Sequence, residues 1–311
     1  PFAYLRGAAA VMAADLAALP HSGILVQLCG DAHVANFGMF AAPDRSLVFD
    51  LNDFDETWPG PFEWDVKRLA ASVVVAGRAT GVKNKRVRQA ATATVASYRT
   101  TMAALAGMGP LEVWYARVDV DDLIERLRAT SLSGDTKRAS KASRRNSGDV
   151  AVGKLTEVVD GRRQFRHKPP LLVPVDGKAQ PAVLRRATAL HAEYLMSLRS
   201  DAQMLLQRYA LVGLAHKVVG VGSVGTRALV LLLESGDGDV LLLQVKQASR
   251  SVLAPYLTDP DVAHEGQRVV NGQRLMQATG DPFLGWARGT SRPRRDYYVR
   301  QLRDMKGGLA A

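Results

Sequence analysis

Two short runs near the start of the chain carry residues able to do chemistry. Cys29-Gly30-Asp31-Ala32-His33-Val34-Ala35-Asn36 sets an Asp at the end of an apolar run and an Asn five positions later. That spacing suits phosphoryl transfer, in which the Asp orients an attacking hydroxyl and takes its proton while the Asn carbonyl holds magnesium. Asp31 is therefore the candidate base, with His33 beside it as a second candidate catalytic group. Asp and Asn also favour turns for purely local reasons, so this run alone is a weak signal. The second run is Asp50, Asn52, Asp53, Asp55 and Glu56, directly after another apolar stretch. Four carboxylates within seven residues repel one another, and a solvated acidic turn is the plain reading. A hard cation reverses that balance, because magnesium takes one or two carboxylates together with substrate phosphates. So soon after the first loop, the cluster favours metal: Asn36, Asp53 and Asp55 are the expected ligands, with Asp50 as a rival to Asp53.

A third constellation lies far downstream. Gly220-Val221-Gly222-Ser223-Val224-Gly225 has the spacing G-x-G-x-x-G. A dinucleotide fingerprint follows a strand and opens a helix. Here strand, turn and strand follow, the setting in which a glycine-rich loop folds its backbone over nucleotide phosphates. The second of those strands ends in Leu243-Gln244-Val245-Lys246, and a lysine at that point contacts the α- and β-phosphates. An edge lysine snorkelling to water is the plainer alternative. Glu265, on the next predicted helix, is the natural ion-pair partner of Lys246. Gly220, Gly222, Ser223, Gly225, Lys246 and Glu265 thus form the expected site for ATP, with Mg2+ held by the first half.

The elements that position these residues follow from periodicity and punctuation. Residues 3–19 have an amphipathic helical pattern, 24–30 and 46–51 read as short strands, and 63–78 and 84–106 as helices after the Pro59-Gly60-Pro61 break. Helical material continues around Trp114 and Leu123–Leu127. A Ser, Lys and Arg-rich segment over 131–150 reads as a solvated flexible loop, and 146–181 as a polar, Pro-bearing separator. A helix is expected over 187–210. A β-hairpin turning on Gly-Asp-Gly then covers roughly 227–248, followed by a helix at 264–277 and a strand at 297–302. The chain divides accordingly into a helical half, 1–185, with the catalytic loop and metal cluster, and a β-hairpin half, 186–311, sharing one cleft.

Composition bounds the alternatives. The 311 residues are 47% hydrophobic and 23% charged, as in an ordinary globular protein. No run approaches the roughly eighteen apolar residues of a membrane span. One cysteine, Cys29, excludes an intrachain disulfide or a cysteine-rich zinc site, and a cytoplasmic location is the default. The net charge of +11 points to polyanionic partners, nucleotide or nucleic acid, with the basic runs Lys83–Arg88 and Lys137–Arg145 more simply solvated. The chain opens on Pro1 and closes on GGLAA, which reads as a fragment.

Gly30 to Asn36, then Asp53-Phe54-Asp55 through Pro61-Phe62-Glu63-Trp64-Asp65-Val66-Lys67-Arg68-Leu69, is similar to the aminoglycoside phosphotransferase and choline kinase pattern. That pattern has a His where this chain has Cys29. PFAYLRGAA, CGDAHVANFG, FDLNDFDET, GPFEWDVKRLAAS, GVGSVGTR, LQVKQA and YVRQLRDMKG also resemble the bacterial domain-of-unknown-function family 2252 over nearly the whole length. The first resemblance implies an α+β, protein-kinase-like two-lobed fold. Its catalytic loop precedes its glycine loop by nearly 190 positions, an order that a circular permutation explains. The helix that packs under the catalytic loop would then lie beyond Ala311.

The function expected is phosphoryl or nucleotidyl transfer from Mg-ATP to an unknown acceptor. One alternative is a metal-dependent phosphoesterase with Asp31, His33, Asp53 and Asp55 around two metals. The others are a basic nucleic-acid-binding protein and a nucleotide-binding protein without turnover.

Overall fold

Leu and Val dominate the run from 228 to 248, and their alternation builds the centre of the largest sheet. The computed structural model describes residues 1–130, 132–175, 180–217, 228–290, 293–302 and 305–307. The first half opens with α1 (Phe2–Arg6) and α2 (Ala9–Ala17), then β1 (Leu25–Leu28) and a single 3-10 turn at Val34–Asn36. β2 (Phe37–Ala41), β3 (Leu47–Leu51) and β4 (Trp58–Pro61) follow, then α3 (Glu63–Ala79), α4 (Asn84–Ala106), α5 (Pro110–Tyr115) and α6 (Val120–Arg126). Next come α7 (Ser133–Arg144), α8 (Gly148–Leu155), β5 (Thr156–Val159), β6 (Arg162–Phe165) and β7 (Leu172–Pro174). The rest holds α9 (Gln180–Met196), α10 (Ser200–Leu206), β8 (Tyr209–Lys217), β9 (Ala228–Ser235) and β10 (Val240–Ala248). It ends with α11 (Glu265–Met276), β11 (Gly285–Arg288) and β12 (Asp296–Gln301). The fold is mixed α+β.

Six antiparallel strands form the large sheet in the order β11-β12-β10-β9-β8-β7. Alternation sends Leu231, Leu233, Leu243, Val245, Tyr297 and Val299 to one face, where they pack on Tyr194 of α9, on Leu198 in the turn after it and on Leu206 of α10. In the register Lys246 lies opposite Tyr298 and Gln244 opposite Arg300, so these four share the other face. Gln244 and Lys246 on that face are only 4–5% exposed, so they are buried polar groups that need partners. Two further pairs, β1 with β4 and β2 with β3, frame the Gly30–Asn36 loop and the acidic run. Where the halves meet, Cys29, Ala32 and Phe54 pack with Val269 and Val270 of α11 and with Leu284 and Tyr298.

The segment 131–150, expected as a flexible loop, holds α7 and the start of α8 instead. Thr136, Ser140 and Ser143 recur at helical spacing and are buried, so small polar residues rather than apolar ones carry the period. The separator 146–181 likewise folds into α8, the β5–β6 hairpin and β7, and the helix expected over 187–210 is two helices followed by β8. Residues 3–19 are two helices broken at Gly7. Among the described residues no helix is long and apolar enough to cross a membrane.

Candidate active site

The turn after β1 is built around Gly30. Its φ of +85° suits a residue without a side chain, and a Cβ there would collide with the Glu56 carbonyl, so the Gly30–Asn36 loop lies directly on the acidic run. Asp65, in the first turn of α3, accepts from the Cys29 and Gly30 backbone N–H groups at 2.7 and 3.0 Å. Burial pushes its carboxyl up to about 6 despite those two donors. One turn further along α3, Arg68 grips Asp31: its Nε donates to Oδ1 at 2.8 Å and its NH2 lies 2.6 Å from the same oxygen. The Arg68 NH2 also donates to the Leu5 carbonyl of α1 at 2.6 Å. Burial raises Asp31 to about 6, with Arg68 pulling the other way and the nearby Asp53 and Asp55 adding to the rise. Asn36 Nδ2 donates to the Asp31 backbone carbonyl at 2.7 Å, which ties the two loop residues together.

His33 is buried against Phe2, ring edge to ring face at 6.3 Å. Its Nε2 lies 3.8 Å from Asp31 Oδ2, and its Nδ1 is buried without a hydrogen-bond partner among the described residues. Burial, then Arg68 and Arg6, hold it down to about 4, so the ring is neutral at pH 7.

The acidic run meets the large sheet from across the chain. Lys246 Nζ makes an ion pair with Asp55 Oδ2 and lies 3.9 Å from Asp53 Oδ1. The Tyr298 hydroxyl donates to Asp55 Oδ1 at 2.8 Å. Burial works against the charge of Asp53, but Lys246, Arg300 and Lys306 outweigh it and hold this carboxyl low. Asp55 moves the other way, raised by burial and by Asp53. The Asp53 side chain is 42% exposed, yet its Oδ1 is shut off from water and takes no hydrogen bond from a described donor. An orphaned carboxylate oxygen of this kind is what a cation would satisfy. Among the described residues no group of three or more His, Cys, Asp or Glu side chains is arranged to hold a metal ion. A two-metal centre therefore lacks its ligands there, whereas magnesium, which needs one or two carboxylates plus phosphates, fits Asp53. Asp50 is turned away: its Oδ1 accepts from Leu51 N at 2.7 Å and its Oδ2 from Ala278 N at 3.3 Å.

Glu265 does not partner Lys246. Its carboxylate takes the Arg268 Nε at 2.5 Å, and Arg268 spends its other nitrogens on the Thr57, Asp55 and Ser249 carbonyls. The physical reason is that Asp55 and Asp53 already neutralise the lysine. Gly220, Gly222, Ser223 and Gly225 lie outside the described residues. The strands that bracket them are paired, with His216 opposite Leu229, and Ala228 pairs with Lys246 itself.

Two cations were missed in the sequence. Arg300 donates from Nε to Gln244 Oε1 at 3.1 Å and from NH1 to the Asn52 carbonyl at 3.3 Å. Lys306 Nζ reaches the same carbonyl at 3.5 Å, and burial beside Arg300 lowers it to about 7. The one available signal was strand alternation, which sets Arg300 two positions from Tyr298 on the site face. Asn52, Gln244, Arg300 and Lys306 line a cavity of about 600 Å³, walled on its apolar side by Phe40, Ala42 and Leu302.

Residues 1–311 match the family described as "Uncharacterized protein conserved in bacteria (DUF2252)", and the chain belongs to that family. No curated protein and no solved structure matches it.

Proposed function

We propose that this protein is a kinase-like phosphotransferase that moves a phosphoryl group from Mg-ATP to a hydroxyl-bearing acceptor. The observation that carries the proposal is the meeting of Lys246 with Asp53 and Asp55, residues from opposite halves of the chain. A phosphate-binding lysine and a metal-binding carboxylate must lie within one nucleotide's length, and without ligand they neutralise each other. The order of elements in the second half agrees: β8, the glycine-rich segment, β9, β10 with its lysine, then α11 and two strands. That is how a kinase nucleotide lobe is laid out, with the glycine loop first, the lysine on the third strand and the helix after it. On this reading the fold is a permuted two-lobed kinase-like one.

Asp31 would take the proton of the acceptor hydroxyl as its oxygen bonds the γ-phosphorus and the bridging P–O bond breaks to release ADP. Arg68 keeps that carboxylate ionised at neutral pH and aims it. Magnesium, when bound, would offset the phosphate charge, held by Asp53 with Asn36. Lys246 would exchange its contacts with Asp53 and Asp55 for the α- and β-phosphates.

The test is thermal unfolding of the wild type and Asp53→Ala with ATP, with and without Mg2+. At a hundredfold excess over Kd, ligand stabilises the folded state by about 2.7 kcal/mol. A saturable, magnesium-dependent rise in Tm is expected for the wild type, with the magnesium-dependent part lost in Asp53→Ala. No shift in the wild type, or the same shift in the variant, sinks the proposal.

A further inference from the structure

Lys246 has a role in the reading above, but Arg300 and Lys306 have none. Both line the cavity of about 600 Å³ and both turn toward the Asn52 carbonyl, one residue before Asp53. Neither has a carboxylate within ion-pair distance among the described residues, whereas Lys246 has two. The acidic run therefore faces the basic groups of Lys246, Arg300 and Lys306, while Asp281, which also lines the cavity, acts on Arg300 alongside Asp53 and Asp55. Magnesium bound at Asp53 would add two positive charges beside these basic groups. Buried like charges repel strongly where water is scarce, and an anion entering the cavity relieves that repulsion. Gln244 and Asn52, on the same cavity wall, supply amide hydrogen bonds suited to phosphate oxygens.

We propose that Arg300 and Lys306 form an anion seat for phosphate groups in this cavity, separate from the contact Lys246 makes. This rests on the phosphotransferase reading only for the source of the phosphate: the nucleotide's own tail or a phosphorylated acceptor. Arg300 offers the planar fork that pairs with two phosphate oxygens, and its Gln244 bond fixes the direction of that fork. Lys306 adds a second basic donor at the same Asn52 carbonyl.

The experiment is isothermal titration of the full chain with inorganic tripolyphosphate, with Mg-ATP, and with inorganic phosphate on protein already saturated with Mg-ATP. Wild type is compared with Arg300→Gln, Lys306→Met and the conservative Arg300→Lys. Saturable tripolyphosphate binding is expected, weakened about tenfold or more in Arg300→Gln and in Lys306→Met, in line with loss of one charge-assisted hydrogen bond. Arg300→Lys should recover part of that loss. Tripolyphosphate that competes with Mg-ATP makes the seat part of the nucleotide site; phosphate that binds alongside Mg-ATP makes it the acceptor's. If tripolyphosphate and phosphate both fail to bind wild type, the seat does not exist, and this needs no variant to fold. Folded variants that bind as wild type does overturn it equally. Tripolyphosphate binding that depends on Arg300 and Lys306, with no preference for ATP and no effect of Asp53→Ala, keeps the seat and removes the kinase-like function.

Discussion

Replacing Lys246 with Met removes the one ammonium shared by Asp55 and Asp53 and leaves two carboxylates facing each other. Lys246 is 5% exposed, so its charge is well shielded from water. A unit pair near 4 Å interacts by about 4 kcal/mol at an effective dielectric constant of about 20. The 3.9 Å contact to Asp53 deserves a heavy discount, since that side chain is 42% exposed and solvent screens it. The Asp55 pair is the tighter one, with that carboxylate 29% exposed. Removing one partner of a buried pair costs roughly 3–5 kcal/mol. The Tyr298 hydroxyl still serves Asp55 in the variant, which sets the loss at the lower end, about 3 kcal/mol. Lys246→Met combined with Asp55→Asn removes the stranded charge while keeping an acceptor for Tyr298. The double variant should therefore lose only about 1 kcal/mol, and with the loss of the single Asp55→Asn variant included the coupling is at least about 2 kcal/mol. Urea unfolding at pH 7.5 measures all three variants. The pH dependence has a definite sign. Burial and Asp53 already raise the Asp55 carboxyl in the folded protein. Losing the lysine raises it further, so protonation relieves the folded variant, and its deficit against wild type shrinks on going to pH 5. A Lys246→Met protein within 1 kcal/mol of wild type, or a double variant as weak as the two single losses added, refutes this account.

Two other outcomes follow from the same geometry. With Asp31 raised to about 6, kcat/KM should fall on the acid side of an apparent pKa near 6; Arg68→Gln removes the cation that restrains this value, so the acid limb moves to higher pH, and a limb that stays put would show that Arg68 does not act on Asp31. Ser140→Glu buries a carboxylate on the packed face of α7 and should lower stability by at least about 2 kcal/mol, while Lys141→Glu on the exposed side stays within about 0.5 kcal/mol; equal small losses in urea unfolding would restore 131–150 to a loop.

Strong apolar periodicity was legible in the sequence. β9, β10 and β12 lie within a residue or two of their expected bounds, as do α3 and α4. Asp31 with Asn36, and Asp53 with Lys246, were also readable, because a short spacing or a strand end fixes where the side chain can go. What escaped was whatever depended on the partner element. The face of α7 is Thr and Ser, which carry no hydrophobic signal, so its burial is visible only once Met39 and Gly307 lie against Ser143. β4 is Trp58-Pro59-Gly60-Pro61, a run of breakers that pairs because β1 lies antiparallel beside it. The Glu265 error has the same origin: a helical Glu is chosen by its nearest cation, and Arg268 one turn away outcompetes a lysine that two carboxylates already hold.

The expected boundary near residue 185 falls inside α9, and Tyr194 of that helix packs on the large sheet together with Leu198 just after it. More telling is where the polar groups of each half find partners. Arg268 of α11 donates to the Thr57 and Asp55 carbonyls, and Gln277 Nε2 to the Leu51 carbonyl at 2.5 Å. Ser251 donates to the Glu56 carbonyl, and the Glu56 carboxylate accepts from Val252 N. Separating the halves would take from Arg268, Gln277 and Ser251 the carbonyls of 51–57 that they bond, and from Lys246 its carboxylates. Each hydrogen bond exchanged for water in this way is worth roughly 0.5–1.5 kcal/mol net. The acidic run is therefore held in shape by the half that carries the lysine. The acidic run near the start of the chain thus owes its geometry to contacts with α11, with the segment after β10 and with Lys246 and Tyr298 of the sheet.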